Sequence, residues 1–236
     1  IFWSVVLVGI IGVFVFFWLI SAGKLGFMPT FEELENPNNR FASEVYFADG
    51  PIMNRYFEKE NRKYIEYREI PQSVIDALIA TEDVRFYDHS GVDVRGLFRV
   101  AKGLLTANTS AGGGSTISQQ LAKMLFPRES DLNVFELAIR KFREWVIAVR
   151  LEKSYTKEEI LTMYLNKYDF LNLAVGISSA ADIYFQVPLD SLKVEQAAML
   201  IGMAKNSSYY NPVRRPEITL NRRNVVLSQM YKYDKI

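Results

Sequence analysis

An acidic segment of the chain, "EDVRFYDH", has the residue types of a proton-transfer site. It begins at Glu82, shortly after the apolar run "VIDALIA", and ends at His89, the only histidine of the chain. At the end of an apolar helix the carboxylate of Glu82 would be partly desolvated, which suits it to exchange a proton with a substrate. The alternative is a solvated turn whose acids pair with Arg85 and in which His89 is a hydrogen-bonded structural residue.

A second candidate site lies in "ANTSAGGGSTISQQL", residues 107–121, where a glycine-rich loop leads into a predicted helix. Glycines allow backbone N–H groups to approach a ligand closely, and a helix N-terminus favours anions, so a phosphate could bind there. The segment is not a P-loop, because the Gly-Lys-Ser/Thr ending is absent. A flexible surface loop is the alternative, although Gln119, Gln120 and Lys123 are suited to sugar and phosphate contacts.

A third candidate group interrupts the apolar pattern of "NVFELAIRKFREWVIAVRLE". Arg140 and Lys141 could hold an anionic group while Glu144 orients a substrate. Alternatively, Arg140 and Glu144 are four residues apart on a helix and would form a surface ion pair, which contributes only a few tenths of a kcal/mol.

The composition excludes several kinds of chemistry. With no cysteine among 236 residues, the chain has no disulfide, thiolate nucleophile or cysteine-bound zinc, and one histidine excludes a histidine-rich metal site. The formal net charge is +1, so the sequence gives no general case for nucleic-acid binding. Catalysis would rest on carboxylates, hydroxyls and cations, and we predict neither a metal site nor a nucleic-acid partner.

The elements that position these residues begin with an uncharged stretch, residues 1–23. As a helix it would cover the roughly 30 Å hydrocarbon core of a bilayer, which predicts a transmembrane helix. A cleavable signal peptide is the alternative, but its apolar region is usually about 7 to 15 residues long.

Residues 24–70 read as a juxtamembrane connector followed by a small strand-rich element. Two β-prone stretches, residues 43–47 and 52–57, flank an Asp-Gly pair, which predicts a hairpin. A third extended stretch, residues 64–68, is expected to pair with them.

Residues 71–236 read as a mainly helical domain with a buried core. A helix should begin near Pro71, another after an Asn133 cap, and a third at a capping box formed by Thr156 and Glu159. A further helix is expected to start near Asp190 or Ser191.

Taken together, five segments resemble the motifs of the peptidoglycan glycosyltransferases of glycosyltransferase family 51. In chain order they are "EDVRFYDHSG", "GGGSTISQQLAK", "RKFREWVIAVRLE", "KEEILTMYLN" and "RRNVVLSQM". The resemblance implies a mainly α fold, with a lysozyme-like larger lobe and a smaller membrane-facing jaw lobe. The strand-rich element resembles the segment before the transferase domain of class A penicillin-binding proteins, which implies that a transpeptidase domain follows in the natural protein.

The resemblance also implies roles for individual residues. Glu82 matches the general base that deprotonates the 4-hydroxyl of an acceptor lipid II, and Glu144 matches a second essential carboxylate. Lys123 matches a cation that binds the leaving diphosphate. The residues expected to bind or shape substrate are Asp83, Phe86, His89, Ser115, Thr116, Gln119, Gln120, Lys123, Arg140 and Lys141.

The same resemblance implies the surroundings of the reaction. The partners would be lipid II, the growing glycan strand, the lipid bilayer and other cell-wall synthesis proteins, with moenomycin as an inhibitor. The location would be the bacterial cytoplasmic (inner) membrane, with the catalytic domain on its periplasmic or extracellular side. No cofactor is required by the sequence, which leaves any divalent cation dependence open.

The chain departs from the family pattern at several positions. Leu171 and Leu173 stand where many members have glycine, and Glu136 replaces an arginine that often lies eight residues before the second glutamate. Arg128 is a candidate to supply the diphosphate contact that Glu136 cannot make.

Two other classes of protein share part of these features. A lysozyme-like lytic hydrolase would also use one glutamate, but it would not need Lys123 and a basic helix beside two glutamates. A membrane-anchored scaffold without turnover would not need to retain Glu82, Lys123 and Glu144. Release of polyprenyl diphosphate would distinguish a transferase from both.

Overall fold

The structure is a computed structural model that describes residues 2–30, 43–46, 52–56, 61–106, 113–126 and 133–236. It begins with helix α1, Phe2–Ser21, which contains no charged residue and buries only Ile20. This helix is long and apolar enough to cross a membrane. The N-terminal apolar helix expected from the sequence is therefore confirmed as a helix.

The predicted hairpin is present. Strand β1, Ser43–Tyr46, pairs antiparallel with β2, Ile52–Tyr56, and the register shifts between Val45 and Tyr46. The predicted Asp-Gly turn, with Phe47 and Phe57, lies outside the described residues.

The expectation of a third strand at residues 64–68 is wrong. Strand β3 is Asn61–Arg62, and it pairs in parallel with β4, Ala174–Val175, instead of joining the hairpin. The chain then forms a short 3-10 turn at Tyr67–Glu69. The buried amide of Asn166 holds the segment between them, because it accepts from Ile65 N at 3.0 Å and donates to Ile65 O at 2.8 Å. A distant partner therefore replaces the local pairing that the sequence suggested.

The rest of the described chain is mostly helical. The helices are α2 Gln72–Glu82, α3 Val94–Leu105, α4 Ile117–Leu125, α5 Val134–Ser154, α6 Lys157–Lys167, α7 Ile177–Phe185, α8 Val194–Met203 and α9 Pro216–Lys232.

Local capping fixes where several of these helices start. Asn133 and Glu136 form a capping box at α5, and Thr156 and Glu159 form the predicted one at α6. The helix expected from Asp190 or Ser191 starts later, because a 3-10 turn at Leu189–Ser191 is followed by an extended residue, Leu192, before α8 begins.

The core of the larger lobe forms around α2. This helix packs against α8 and α9, while α4 packs against α5 and α6. Val74, Leu78, Leu121, Leu161 and Leu165 are all fully buried in the resulting core. Burial of the apolar face of α2 fixes its C-terminal end, where Glu82 lies.

A smaller part of the molecule lies beside this core. Apolar residues at the start of α5 are exposed, with Val134 84% and Phe135 71% accessible, and Phe98 on α3 is 73% accessible. Further along α5, Ile147 and Leu151 are buried. The mainly α fold with a larger and a smaller lobe, expected from the resemblance, is confirmed.

Candidate active site

A cleft of about 790 Å³ opens where α2 ends, between α3, α4 and α9. Six of the residues expected at the site line this cleft: Glu82, Asp83, Ser115, Thr116, Gln120 and Lys123. Residues 107–112 and 127–132, which include most of the glycine-rich loop and Arg128, lie outside the described part of the chain.

Both carboxylate oxygens of Glu82 are held by donors. Arg222 Nη2 lies 3.2 Å from Oε1, and Gln120 Nε2 donates to Oε2 at 3.0 Å. Gln120 is fixed in turn by the hydroxyl of Tyr164, which donates to Gln120 Oε1 at 3.0 Å. Burial raises the pKa of Tyr164 well above its ordinary value, and the nearby charge of Glu82 adds to this. The hydroxyl of Tyr164 therefore keeps its proton and remains a donor.

Asp83 joins the acidic segment to the start of α4. Its carboxylate accepts from Ile117 N at 3.0 Å and lies 3.0 Å from His89 Nε2. Both side chains are buried, with 4% exposure for Asp83 and 7% for His89. This carboxylate satisfies a backbone N–H of the first turn of α4, where negative charge is favourable. Asp83 and His89 thus position the helix that carries Gln120 and Lys123.

The N-terminus of α4 is anchored on Gly91. Thr116 caps the helix by accepting from Gln119 N at 3.2 Å, and its hydroxyl donates to Gly91 O at 2.7 Å. The amide of Gln119 donates to the same carbonyl at 3.2 Å. Gly91 has a φ of +92°, and an added Cβ would come within 2.7 Å of the backbone of Ala148. No other residue could therefore make this close approach without a shift of α5.

Behind the cleft, a buried network that the sequence reasoning missed supports the acidic segment. Lys157 pairs with Glu152 at 2.6 Å, donates to His89 O at 2.7 Å, and lies 4.3 Å from the ring centroid of Phe86. Ser118 donates to the same Glu152 carboxylate. Phe86 is fully buried, so its role here is to shape the segment that follows Glu82.

The second glutamate, Glu144, faces two lysines and not Arg140. Its Oε2 lies 3.0 Å from Lys141 Nζ and 3.7 Å from Lys123 Nζ. The surface ion pair between Arg140 and Glu144 that the sequence left open is therefore absent among the described residues. The pairing of Glu144 with Lys141 is favoured because the Lys141 ammonium also donates to Ser115 Oγ at 2.9 Å and to Gln119 Oε1 at 3.3 Å.

The structure thus separates the predicted site residues by their position relative to the cleft. The six named above line the cleft, while Phe86, His89 and Gln119 are packed behind its walls, and Lys141 and Glu144 contact wall residues from the side of α5. Arg140 makes no hydrogen bond or ion pair with another described residue. It is also not among the described residues that line the cleft.

Cations missed by the sequence reasoning also face the cleft. Arg99, Lys205, Arg222 and Lys232 line it together with Lys123. Arg222 belongs to the motif "RRNVVLSQM", so the motif could have indicated it as a site residue. Arg99, Lys205 and Lys232 come from separate parts of the chain, and only the fold brings them together.

An ion pair between Arg85 and Asp93 closes one side of the cleft. Hydrogen bonding to Asp93 raises the pKa of Arg85. Burial opposes ionisation of Asp93, but the hydrogen bonds from Arg85 and from Gly96 N lower the pKa of that carboxyl overall. The pair consequently stays charged and fixes the start of α3. Among the described residues no group of three or more histidine or acidic side chains could hold a metal ion.

Comparison with known proteins identifies the family of the chain. The family model described as transglycosylase matches residues 49–231. The chain therefore belongs to the transglycosylase family, the peptidoglycan glycosyltransferases that its five motifs resemble.

Relatives of the chain include penicillin-binding proteins 1A. The chain is 38% identical over 203 residues to that of Escherichia coli (strain K12), covering 86% of this chain and 23% of the relative. It is 38% identical over 205 residues to that of Pseudomonas aeruginosa, covering 87% and 24%. The chain thus spans about a quarter of the length of these relatives.

A solved structure also aligns with most of the chain. It is penicillin-binding protein 1A from Haemophilus influenzae, with 22% identity and a TM-score of 0.45, covering 84% of this chain and 19% of that one.

Proposed function

We propose that this chain polymerises lipid II into peptidoglycan glycan strands by inverting glycosyl transfer and releases undecaprenyl diphosphate. The observation that carries the proposal is that Glu82 and Lys123 line one cleft, in which Gln120 donates a hydrogen bond to Glu82. A base and a cation in one cleft supply the two things that this reaction needs, a proton acceptor and stabilisation of an anionic leaving group.

Glu82 is the proposed general base. Its side chain is 14% exposed, and Arg222 and Gln120 occupy one lone pair on each oxygen. Because a carboxylate offers about four acceptor positions, it can still accept a hydrogen bond from a sugar hydroxyl. In the proposed step the proton of the acceptor 4-hydroxyl moves to Glu82, and the freed oxygen forms a bond to the anomeric carbon of the donor.

Lys123 is the proposed partner of the leaving group. As the bond between the anomeric carbon and the phosphate oxygen breaks, its electron pair departs on the diphosphate. Lys123 lines the cleft with its ammonium 3.7 Å from Glu144 Oε2, so Glu144 would orient the lysine toward the developing charge. Attack opposite the leaving group inverts the α linkage to β without a covalent sugar intermediate.

The contacts of α1 support a site at a membrane. Phe142 on α5 contacts both Phe16 and Phe17 at ring-centroid distances of 5.3 and 5.8 Å. Arg150 donates to Ser21 O at 2.8 Å and to Pro29 O at 2.9 Å. These contacts hold the end of the apolar helix against the helix that carries Glu144. We propose that the chain works at the cytoplasmic (inner) membrane with its cleft on the periplasmic or extracellular side, where moenomycin would compete with lipid II.

The test is polymerisation of lipid II by the purified chain in detergent, followed by separation of glycan strands from undecaprenyl diphosphate. We expect Glu82→Gln to abolish both products while leaving the thermal unfolding midpoint unchanged. Glu195→Gln, at an exposed glutamate of α8, is the matched control and should polymerise normally. Undiminished polymerisation by Glu82→Gln would refute the mechanism, and cleavage of preformed strands without polymerisation would favour the lytic hydrolase.

A further inference from the structure

We infer that Arg222 is a positioning residue for Glu82, so that the last helix of the chain controls the base of the reaction. The inference rests on the proposed role of Glu82. Arg222 Nη2 lies 3.2 Å from Glu82 Oε1, and the two side chains are only 11% and 14% exposed. A paired charge with so little access to water is weakly screened, so the pair constrains the carboxylate more than a surface ion pair would.

Arg222 is itself held by a second helix. Its Nε donates to Gly202 O at 3.3 Å, near the end of α8. A Cβ at position 202 would lie 3.2 Å from Arg222 Cγ, which shows how closely the arginine stem passes the α8 backbone. The guanidinium also lies 5.6 Å from the ring centroid of Tyr210. The planar fork of an arginine can make these contacts and still present one N–H group to Glu82, which a lysine cannot do.

The other groups around Glu82 do not duplicate this function. Gln120 of α4 holds the second oxygen but is neutral, and Tyr164 of α6 holds that glutamine. Asp83, the neighbouring charge just after α2, is turned toward His89 and Ile117 N. Tyr168, Lys123 and Lys205 also face the same cleft. Among the residues the structure describes, Arg222 is the one cation within ion-pair distance of Glu82.

This arrangement has a kinetic consequence. The guanidinium fixes one carboxylate oxygen, so the other lone pairs point consistently toward the cleft. Loss of this constraint would misplace the base without removing a contact to substrate. We therefore expect kcat to fall while KM for lipid II changes little, since a small misplacement of a catalytic group can cost roughly 100-fold.

The experiment compares lipid II polymerisation by the full chain, Arg222→Gln, Arg222→Lys and Arg223→Gln. Arg223 is the matched control, because it lies on the same helix and donates to exposed Asn224. We expect Arg222→Gln to lower kcat by about 100-fold, Arg222→Lys to restore part of it, and Arg223→Gln to be unaffected.

A double mutant separates positioning from a general structural effect. If Arg222 acts through Glu82, adding Arg222→Gln to Glu82→Asp, a variant that keeps a carboxylate on a shorter side chain, should slow polymerisation less than Arg222→Gln slows the unmodified chain. An additive loss, or an Arg222→Gln single mutant with unchanged kcat, would overturn the inference. Unchanged activity of Glu82→Gln would instead refute the proposed function, so the two failures are distinguishable. Thermal unfolding of each variant shows whether it is folded. If Arg222→Gln does not fold, the inference is tested with Arg222→Lys instead.

Discussion

Lys141 and Glu144 form an ion pair three residues apart on α5, with 3.0 Å between Nζ and Oε2. The same ammonium donates to Ser115 Oγ and Gln119 Oε1. Lys141 therefore joins the third motif to the second and braces the wall of the cleft. The expectation that Lys141 also binds substrate stays a prediction.

We predict that Lys141→Met lowers the free energy of unfolding by about 1 to 2 kcal/mol, because three hydrogen bonds to a partly exposed ammonium are lost. Arg140→Met, at the preceding position, should change it by less than about 0.5 kcal/mol. Urea unfolding monitored by circular dichroism measures both. Equal stability of the two variants would contradict the bracing role.

A second prediction concerns the buried pair of Lys157 and Glu152, which are 22% and 4% exposed. Lys157→Met leaves the Glu152 carboxylate buried with only Ser118 as a donor among the contacts described. Removing one partner of a buried ion pair typically costs about 3 to 5 kcal/mol, and we expect a loss near the lower end because Lys157 is partly accessible. The double change Lys157→Met with Glu152→Gln should recover most of it. If the double variant is as unstable as the single one, the cause is loss of the contacts of the Lys157 ammonium with His89 O and the Phe86 ring, and not loss of the ion pair.

The turn at residues 171–173 gives a third prediction. Leu171, Asn172 and Leu173 have φ values of 64°, 52° and 65°, a left-handed conformation that is unfavourable for leucine. Leu173 is 56% exposed, so it gains little from burial. Leu173→Gly should therefore raise the free energy of unfolding by about 1 kcal/mol.

The control for that change is Leu220→Gly on α9. Leu220 is 46% exposed but helical, so glycine there should destabilise by about 1 kcal/mol. In the same urea titration, we expect the free energy of unfolding to rise for Leu173→Gly and to fall for Leu220→Gly. Destabilisation by Leu173→Gly would show that contacts of this leucine outweigh its backbone strain.

The fourth prediction is a pH dependence of stability at Asp93. Because its pKa is lowered in the folded protein, the group contributes stability that is fully present above the ordinary carboxyl pKa of about 3.9. That contribution is lost as the pH falls through the lowered value. Asp93→Asn should therefore be less stable than the natural chain at pH 7, by about 1 kcal/mol, and the difference should shrink below about pH 4.

Asp88→Asn is the control, since Asp88 is an exposed carboxylate of the same segment. Its stability should follow that of the natural chain at every pH. A difference between Asp93→Asn and the natural chain that persists to pH 2 would show that the loss is not electrostatic.

Much of the candidate site could be predicted because its residues are close in sequence. Glu82, Asp83 and His89 lie in one segment, and Thr116, Gln120 and Lys123 in another. The motifs therefore indicated the residue types of the cleft before any contact was known. They did not indicate which cation pairs with which carboxylate, since Glu144 pairs with Lys141 and Lys123 but not with Arg140.

By itself, the sequence determined the features that depend on neighbouring residues. The apolar helix Phe2–Ser21 follows from composition, and the starts of α5 and α6 follow from capping boxes that span four residues. Only the tertiary structure decided the contacts between distant segments. Glu82 and Arg222 are 140 residues apart, Ile65 and Asn166 are 101 residues apart, and β3 pairs with β4 instead of with the hairpin. The physical reason is that these contacts depend on which apolar faces pack together in the core, as those of α2, α8 and α9 do. A local sequence pattern shows that a face will be buried but does not specify its partner.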